Sequence, residues 1–272
     1  MRFSSVTERL AGQGGAKWRV HYRAAEMAAA GREIIRLTIG EPDVPAPDML
    51  QEAATRAMRA GRTGYSDGRG EIGLRRALAD RYAQARGRPF TADQVMCFPG
   101  TQTALYAVMA AMVEAGCEVL VGDPMYATYE GVIRATGADM VPVPLDPSRG
   151  FRMAAEDIAA RVTPRSRAIL LTTPHNPTGA VLSPADIAAI GEVACAHDLW
   201  IIADEVYEEM VFDGVRFASP LADPGLADRV VAVSSISKSH AAPLFILDQR
   251  IRSTVVLVEM LPLAEVMLFG NQ

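Results

Sequence analysis

The stretch SSISKSHAAP, residues 234–243, sets Lys238 among Ser235, Ser237 and Ser239 and two residues before His240, at the end of a run of alternating apolar residues. A lysine whose charge is disfavoured by burial becomes an amine nucleophile, and small hydroxyls around it leave room for a ligand. The other reading of the same letters is a solvated surface charge. Four further stretches carry groups of comparable kind. In PGTQT (99–103), Gly100 stands at a turn ahead of helical sequence, where the first helix amides and the Thr101 hydroxyl can hold a phosphate. A tight turn with a capping threonine reads the same way. DPMY (123–126) contributes an aromatic, Tyr126, and HNPTG (175–179) places Asn176 before a proline, as many plain loops do. DEVY (204–207) brings two acids and a tyrosine to the end of an apolar run, where an unpaired carboxylate is expensive and requires a cation or a hydrogen-bonded partner. His175, His240 and the remaining acids show no H-E-x-x-H or other ligand spacing, and Ser235 and Ser237 lie in no nucleophile-elbow pattern. Metal and serine-hydrolase chemistry are set aside on that ground, and His240 is assigned a structural or supporting role.

These groups need elements to position them. The runs QVMCF (94–98), EVLVG (118–122), RAILLTT (167–173), LWIIADEV (199–206) and RVVAVSS (229–235) have strand length and mostly aliphatic character. Between them, residues 101–116, 125–137 and 183–198 carry apolar residues at helical spacing, and Ser183 followed by Pro184 supplies an N-cap with proline at the first helical position. Continuous apolar strands alternating with helices predict a mostly parallel sheet covered on both faces. Ligands bind such sheets at the carboxyl ends of the strands, which is where the five stretches fall.

Composition adds exclusions. The chain has 272 residues, 50% apolar and 22% charged, with a formal net charge of −5, the profile of an ordinary globular protein without a nucleic-acid partner. The opening MRFSSVTERL lacks an apolar core of the signal-peptide kind, and no uninterrupted apolar stretch reaches bilayer length. A cytoplasmic location away from membranes is expected. Cys97, Cys117 and Cys195 have no C-x-x-C pairing and are expected to be buried thiols.

Taken in chain order, the phosphate-type turn, the aromatic, Asn-Pro, Asp-x-x-Tyr and Ser-x-x-Lys resemble the fold-type-I (class I/II) aminotransferases that use pyridoxal 5'-phosphate. The resemblance runs to about residue 243, and HYRAAEM, PMYATYE and SKSHA look most like the arginine–pyruvate transaminases within that family. It implies a three-layer α/β/α fold with a mostly parallel, mixed sheet. It implies an N-terminal arm and the start of a small-domain region over 1–45, and a cofactor-binding large domain over 46–272, incomplete at its end. It also implies roles. Lys238 is the Schiff-base lysine and proton carrier, and Asp204 pairs with the pyridine nitrogen. Tyr207 and Asn176 hydrogen-bond the ring O3′, and Tyr126 stacks on the ring. Gly100, Thr101, Gln102 and Ser235 hold the phosphate. Tyr65, in TGYSDGRG, reaches the phosphate of a neighbouring subunit in a homodimer. Gly40, in IGEPD, lies near the carboxylate of an amino-acid or 2-oxo-acid substrate.

The sequence also departs from the family. An arginine eight residues after the lysine is expected within Gly-x-Arg-x-Gly-Trp, and Ile246 stands there. Residues 244–260 match poorly, Arg250 and Arg252 are not obvious substitutes, and 261–272 again look like the next family helix. A small C-terminal domain, which in the family carries an arginine for the substrate carboxylate, is expected to be absent. Three readings therefore stay open: amino-group transfer; decarboxylation or C–S lysis with the same cofactor; and a non-catalytic fragment, with apolar surface on VEMLPLAEVMLFG left uncovered.

Overall fold

In the computed structural model, which describes residues 2–12, 15–241 and 254–258, the apolar runs lie side by side in one sheet. Among the described residues its strands are β1 (Val95–Phe98), β2 (Glu118–Asp123), β3 (Asp139–Pro144), β4 (Ser166–Thr172), β5 (Trp200–Asp204), β6 (Val230–Ser235) and β7 (Thr254–Val258). The order across the sheet is β1-β7-β6-β5-β4-β2-β3. Neighbours from β6 to β3 pair in parallel, while β7 runs antiparallel to both β6 and β1. The sheet is thus mostly parallel and mixed, as expected.

The helices are α1 (Ser5–Leu10), α2 (Gly15–Ala29), α3 (Asp48–Arg59), α4 (Ile72–Arg86), α5 (Thr101–Met112), α6 (Tyr129–Thr136), α7 (Ala155–Ala159), α8 (Pro184–Ala196) and α9 (Ile236–Ser239). Side-chain alternation along the strands sorts the core into two layers. Leu120, Ile169, Leu171, Ile201, Ala203, Val230 and Ala232 pack with Leu78, Tyr82, Ile158, Ile187 and Ile190 from α4, α7 and α8. Val119, Val121, Ala168, Leu170, Ile202, Val231 and Val233 face the other way, against Leu105, Val108, Met109, Val132 and Ile133 from α5 and α6. This is the three-layer arrangement, and it explains why the central strands read as continuous apolar runs: both of their faces are dry.

The differences from expectation have local causes. Strand β3 escaped notice because DMVPVP carries two prolines, which donate nothing to a ladder; it lies at the sheet edge, where that is tolerated. Helix α5 stops at Met112 because Val113 turns extended, and Gly116, at φ 91°, completes the turn into β2. Helix α6 begins at Tyr129 rather than 125. The thiol expectation holds for Cys97, which is buried, and fails for Cys195, which is exposed. Ile187, Ile190 and Ala194 form the buried stripe of α8, and position 195 falls outside it. Apart from β7, residues 244–272, with Ile246, Arg250 and Arg252, lie outside the described residues. Among the described residues no helix is long and apolar enough to cross a membrane, and no cluster of His, Cys, Asp and Glu is arranged to hold a metal ion.

The start of α8 forms as read. The Ser183 hydroxyl accepts the Asp186 amide at 3.2 Å while the Asp186 carboxylate accepts the Ser183 amide at 2.8 Å, a reciprocal capping box with Pro184 at the first position. Ser183→Ala is expected to lower the unfolding free energy by about 1 kcal/mol, measured as a shift of the urea midpoint at unchanged slope.

Candidate active site

Strands β1, β2, β4, β5 and β6 all run in one direction, so the polar stretches that follow them meet at one rim of the sheet. The centre of that rim is Asp204, the last residue of β5, which is 3% exposed. Its Oδ2 accepts the Tyr129 hydroxyl at 2.7 Å, and its Oδ1 accepts the Val206 amide at 3.2 Å. The Tyr129 hydroxyl also meets Thr172 Oγ1 at 2.7 Å, and Thr172 stands opposite Asp204 in the β4–β5 register. Burial pushes the Asp204 carboxyl up to about 6, against the pull of Tyr129 and then of the Val206 amide. Among the described residues no Lys, Arg or His forms an ion pair with it. It is a dry carboxylate with neutral partners.

The loop after β4 closes on itself: the His175 amide donates to the Ala180 carbonyl at 2.7 Å, the Gly179 amide donates to the His175 carbonyl at 2.8 Å, and the His175 ring meets the Thr178 hydroxyl at 2.7 Å. Gly179 takes φ 76°, which glycine adopts without strain. Asn176 is thereby presented to Tyr207, and its Nδ2 donates to the phenol oxygen at 3.1 Å. Burial raises the Tyr207 pKa; the Asn176 hydrogen bond opposes this, while Tyr126 and Asp204 add to it. Tyr126, after β2, meets the Tyr129 ring edge-on with centroids 5.5 Å apart.

At the end of β1, Gly100 takes φ 96° and ψ 142°, a conformation that turns the chain into α5 and that L side chains rarely adopt. No side chain caps this helix: the Thr103 hydroxyl instead donates to the Pro99 carbonyl at 3.0 Å. The first-turn amides of Thr101 and Gln102 therefore open a positive helix end toward the rim. Ser235, the last residue of β6, caps the short α9, with Oγ accepting the Ser237 amide at 3.0 Å. Lys238 follows within that turn, and its Nζ donates to the Gly40 carbonyl at 2.5 Å. His240 bonds the Ser239 hydroxyl at 2.7 Å.

Of the expected residues, the fold joins Asn176 to Tyr207 and Lys238 to Gly40, and it sets Gly100, Thr101, Gln102, Tyr126, Asp204 and Ser235 at strand ends or the turns after them. Tyr65 is fully exposed on the turn before α4 and is not brought against the others within this chain. Sequence reading missed Tyr129 and Thr172. The available signal was the demand of a buried acid for donors, together with a second tyrosine three residues after Tyr126.

Residues 32–247 match the class I and II aminotransferase family. Among curated proteins, the chain is 47% identical over 241 residues to an arginine–pyruvate transaminase of Pseudomonas aeruginosa, covering 89% of this chain and 61% of that protein. It is 36% identical over 220 residues to an aspartate/prephenate aminotransferase of Cereibacter sphaeroides, covering 80% of this chain and 55% of that protein. Among solved structures, aspartate aminotransferase from Thermus thermophilus with maleate superposes with a TM-score of 0.89 at 29% identity, covering 98% of this chain and 67% of that one. N-succinyldiaminopimelate aminotransferase from Mycobacterium tuberculosis gives 0.86 at 32% identity, covering 98% and 66%. The chain belongs to the class I and II aminotransferase family, whose members depend on pyridoxal phosphate. It spans about six tenths of the length of the curated relatives it matches.

The titration of Asp204 has a definite sign. Its carboxyl holds a proton up to about pH 6 when folded and up to the ordinary 3.8 when unfolded. Unfolding therefore releases a proton between those values, and the group's contribution to stability falls as pH rises through that window. Without added cofactor, the parent chain is expected to lose stability relative to Asp204→Asn from about pH 4 to about pH 6, with a constant difference above, in urea titrations across pH. In the same measurement Tyr129→Phe, which removes a hydrogen bond that holds the carboxyl's pKa down, extends the window upward.

Proposed function

We propose that this chain is the cofactor-binding part of an aminotransferase that moves an amino group from an amino acid to a 2-oxo acid with pyridoxal phosphate. The observation that carries the reading is the buried Asp204 carboxylate, held by neutral donors and without an ion pair among the described residues. Burying a charge in that way is costly unless a cation joins it, and a protonated pyridine nitrogen is such a cation. The other groups suit the rest of the same molecule. The uncapped start of α5, with Gly100, Thr101 and Gln102, and the Ser235 hydroxyl suit a phosphate. The paired Asn176 amide and Tyr207 phenol suit a phenolic oxygen, and Tyr126 supplies an aromatic face.

When bound, pyridoxal phosphate supplies an electron sink for the carbanion left by loss of an α-proton. Asp204 would keep a positive charge on the ring nitrogen favourable, Tyr207 and Asn176 would hold the ring oxygen, and the helix end and Ser235 would anchor the phosphate. Lys238 Nζ would be the amine to which the cofactor attaches and would serve as the base for the substrate α-proton. Its contact with the Gly40 carbonyl brings the IGEPD segment to the lysine, which suits Gly40 as part of the substrate-carboxylate side. We read residues 46–272 as the large cofactor domain and 1–45 as arm and small-domain start. We read the exposed Tyr65 as directed at a second subunit's phosphate in a cytoplasmic homodimer. The arginine–pyruvate transaminase relative makes arginine and pyruvate the first substrate pair to test.

The 272-residue chain mixed with pyridoxal phosphate is expected to develop a visible absorbance band, and borohydride reduction followed by peptide mapping is expected to place the label on Lys238. Lys238→Ala should abolish both. Labelling scattered over other amines would count against the reading. Carbon dioxide or thiol release from an amino acid, in place of 2-oxo-acid-dependent amino transfer, would move the function to decarboxylation or C–S lysis.

A further inference from the structure

Behind the rim, on the α4 side of the sheet, lies a polar network that the functional reading leaves unused. Arg86, in the last turn of α4, has a side chain 7% exposed and sits over the rings of Tyr82 and Phe217 at 5.3 and 5.0 Å. Its Nη2 donates to Glu205 Oε2 at 2.9 Å and also to Glu208 Oε2. Glu205 is fully buried, and its Oε1 accepts the Ser219 hydroxyl at 2.5 Å. Glu208 Oε1 accepts the Ser234 hydroxyl at 3.0 Å and the Tyr82 hydroxyl at 3.2 Å, with Arg81 at 3.6 Å on the outer side, where Arg81 also pairs with Glu209.

The placement of these residues in the chain is systematic. Glu205 follows Asp204, Glu208 follows Tyr207, and Ser234 precedes Ser235. Alternation along β6 turns Ser234 away from the face Ser235 uses, and Glu205, just past the end of β5, continues the same alternation relative to Asp204: Ile202, Val231 and Val233 belong to the α5–α6 layer that Asp204 and Ser235 continue, while Ala203 and Ala232 belong to the layer that Glu205 and Ser234 continue. The backbone between them is tied as well. The Glu205 amide donates to the Val233 carbonyl at 2.8 Å, the Ser234 hydroxyl reaches the Glu205 carbonyl at 3.4 Å, and the Glu208 amide donates to the Glu205 carbonyl at 2.9 Å.

We infer that Arg86 is a positioning residue for the cofactor site: by gathering Glu205 and Glu208, and through them Ser234, it sets the spacing of Asp204, Tyr207 and Ser235 from the opposite face of the sheet. The inference rests on the proposed pyridoxal-phosphate site. Asp204, Tyr207 and Ser235 would contact three separated parts of one rigid ligand, so their mutual spacing matters more to affinity than the strength of any single contact. A guanidinium suits this task because its donors are held in a rigid plane, and bonds to carboxylates are charge-assisted and directional.

Removing Arg86 alone leaves the buried Glu205 carboxylate without its cation and Glu208 with Arg81 alone, and invites unfolding. The test therefore uses Arg86→Met combined with Glu205→Gln, which removes one charge of each sign and leaves an amide able to meet Ser219. Ser234→Ala, which cuts one branch without changing charge, is measured in parallel. Thermal melting of the cofactor-free chains is compared with the dissociation constant for pyridoxal phosphate and with borohydride labelling at Lys238. The expected result is a double variant that melts within a few degrees of the parent yet binds about tenfold more weakly, in the range seen when groups that orient metal ligands are removed. Ser234→Ala is expected to weaken binding by about threefold, less than the double variant because Arg86 still holds both carboxylates. Affinities within twofold of the parent in both variants, with Lys238 still labelled, would overturn the inference and leave the proposed function standing. A parent chain that does not take up pyridoxal phosphate would overturn both.

Discussion

The carboxylate of Asp204 is almost wholly withdrawn from water, and the surrounding structure is organised by that fact. A buried charge must be answered by donors of fixed direction or by an opposite charge. Here the answer within the protein is the Tyr129 hydroxyl, steadied by Thr172, and one backbone amide. Each comes from a different segment: the start of α6, the end of β4 and the second residue beyond β5. Meeting the demand of one carboxylate thus fixes where three segments meet, and the open rim beside it is where the remaining polar strand ends gather.

The sheet makes that convergence possible. Parallel strands deliver their carboxyl ends to one edge, and two apolar layers hold them in register without spending polar groups on the core. The polar pairs then divide by strand parity. Asp204 and Ser235 take the face toward α5 and α6, while Glu205 and Ser234 take the face toward α4. A two-residue acid pair at a strand end therefore has two unlike fates. One acid stays without an ion pair among the described residues, and the other is closed by Arg86.

Much of this was legible in the residues. Five strands, the capped α8 and the strand-end stretches follow from apolar periodicity, Ser-Pro punctuation and polar residues just past each run. The order of those stretches carried the family resemblance. Strand β3 was hidden by its prolines, whose missing amides matter less at an edge. The exposure of Cys195 was hidden because a thiol in an alanine-rich helix carries no sign of which way it faces. Tyr129 was overlooked since its value lies in a partner 75 positions away.

The amino-acid sequence by itself determined which chemistry-bearing groups exist and that the five polar stretches follow strands, because local periodicity and turn residues are short-range properties. Tertiary structure decided which of them touch: Asn176 with Tyr207, Lys238 with the carbonyl of Gly40, Tyr129 with Asp204, and Arg86 with Glu205 and Glu208. Those pairings depend on strand order across the sheet and on which face each side chain takes. Both are set by packing between segments far apart in the chain, which short-range pattern does not encode.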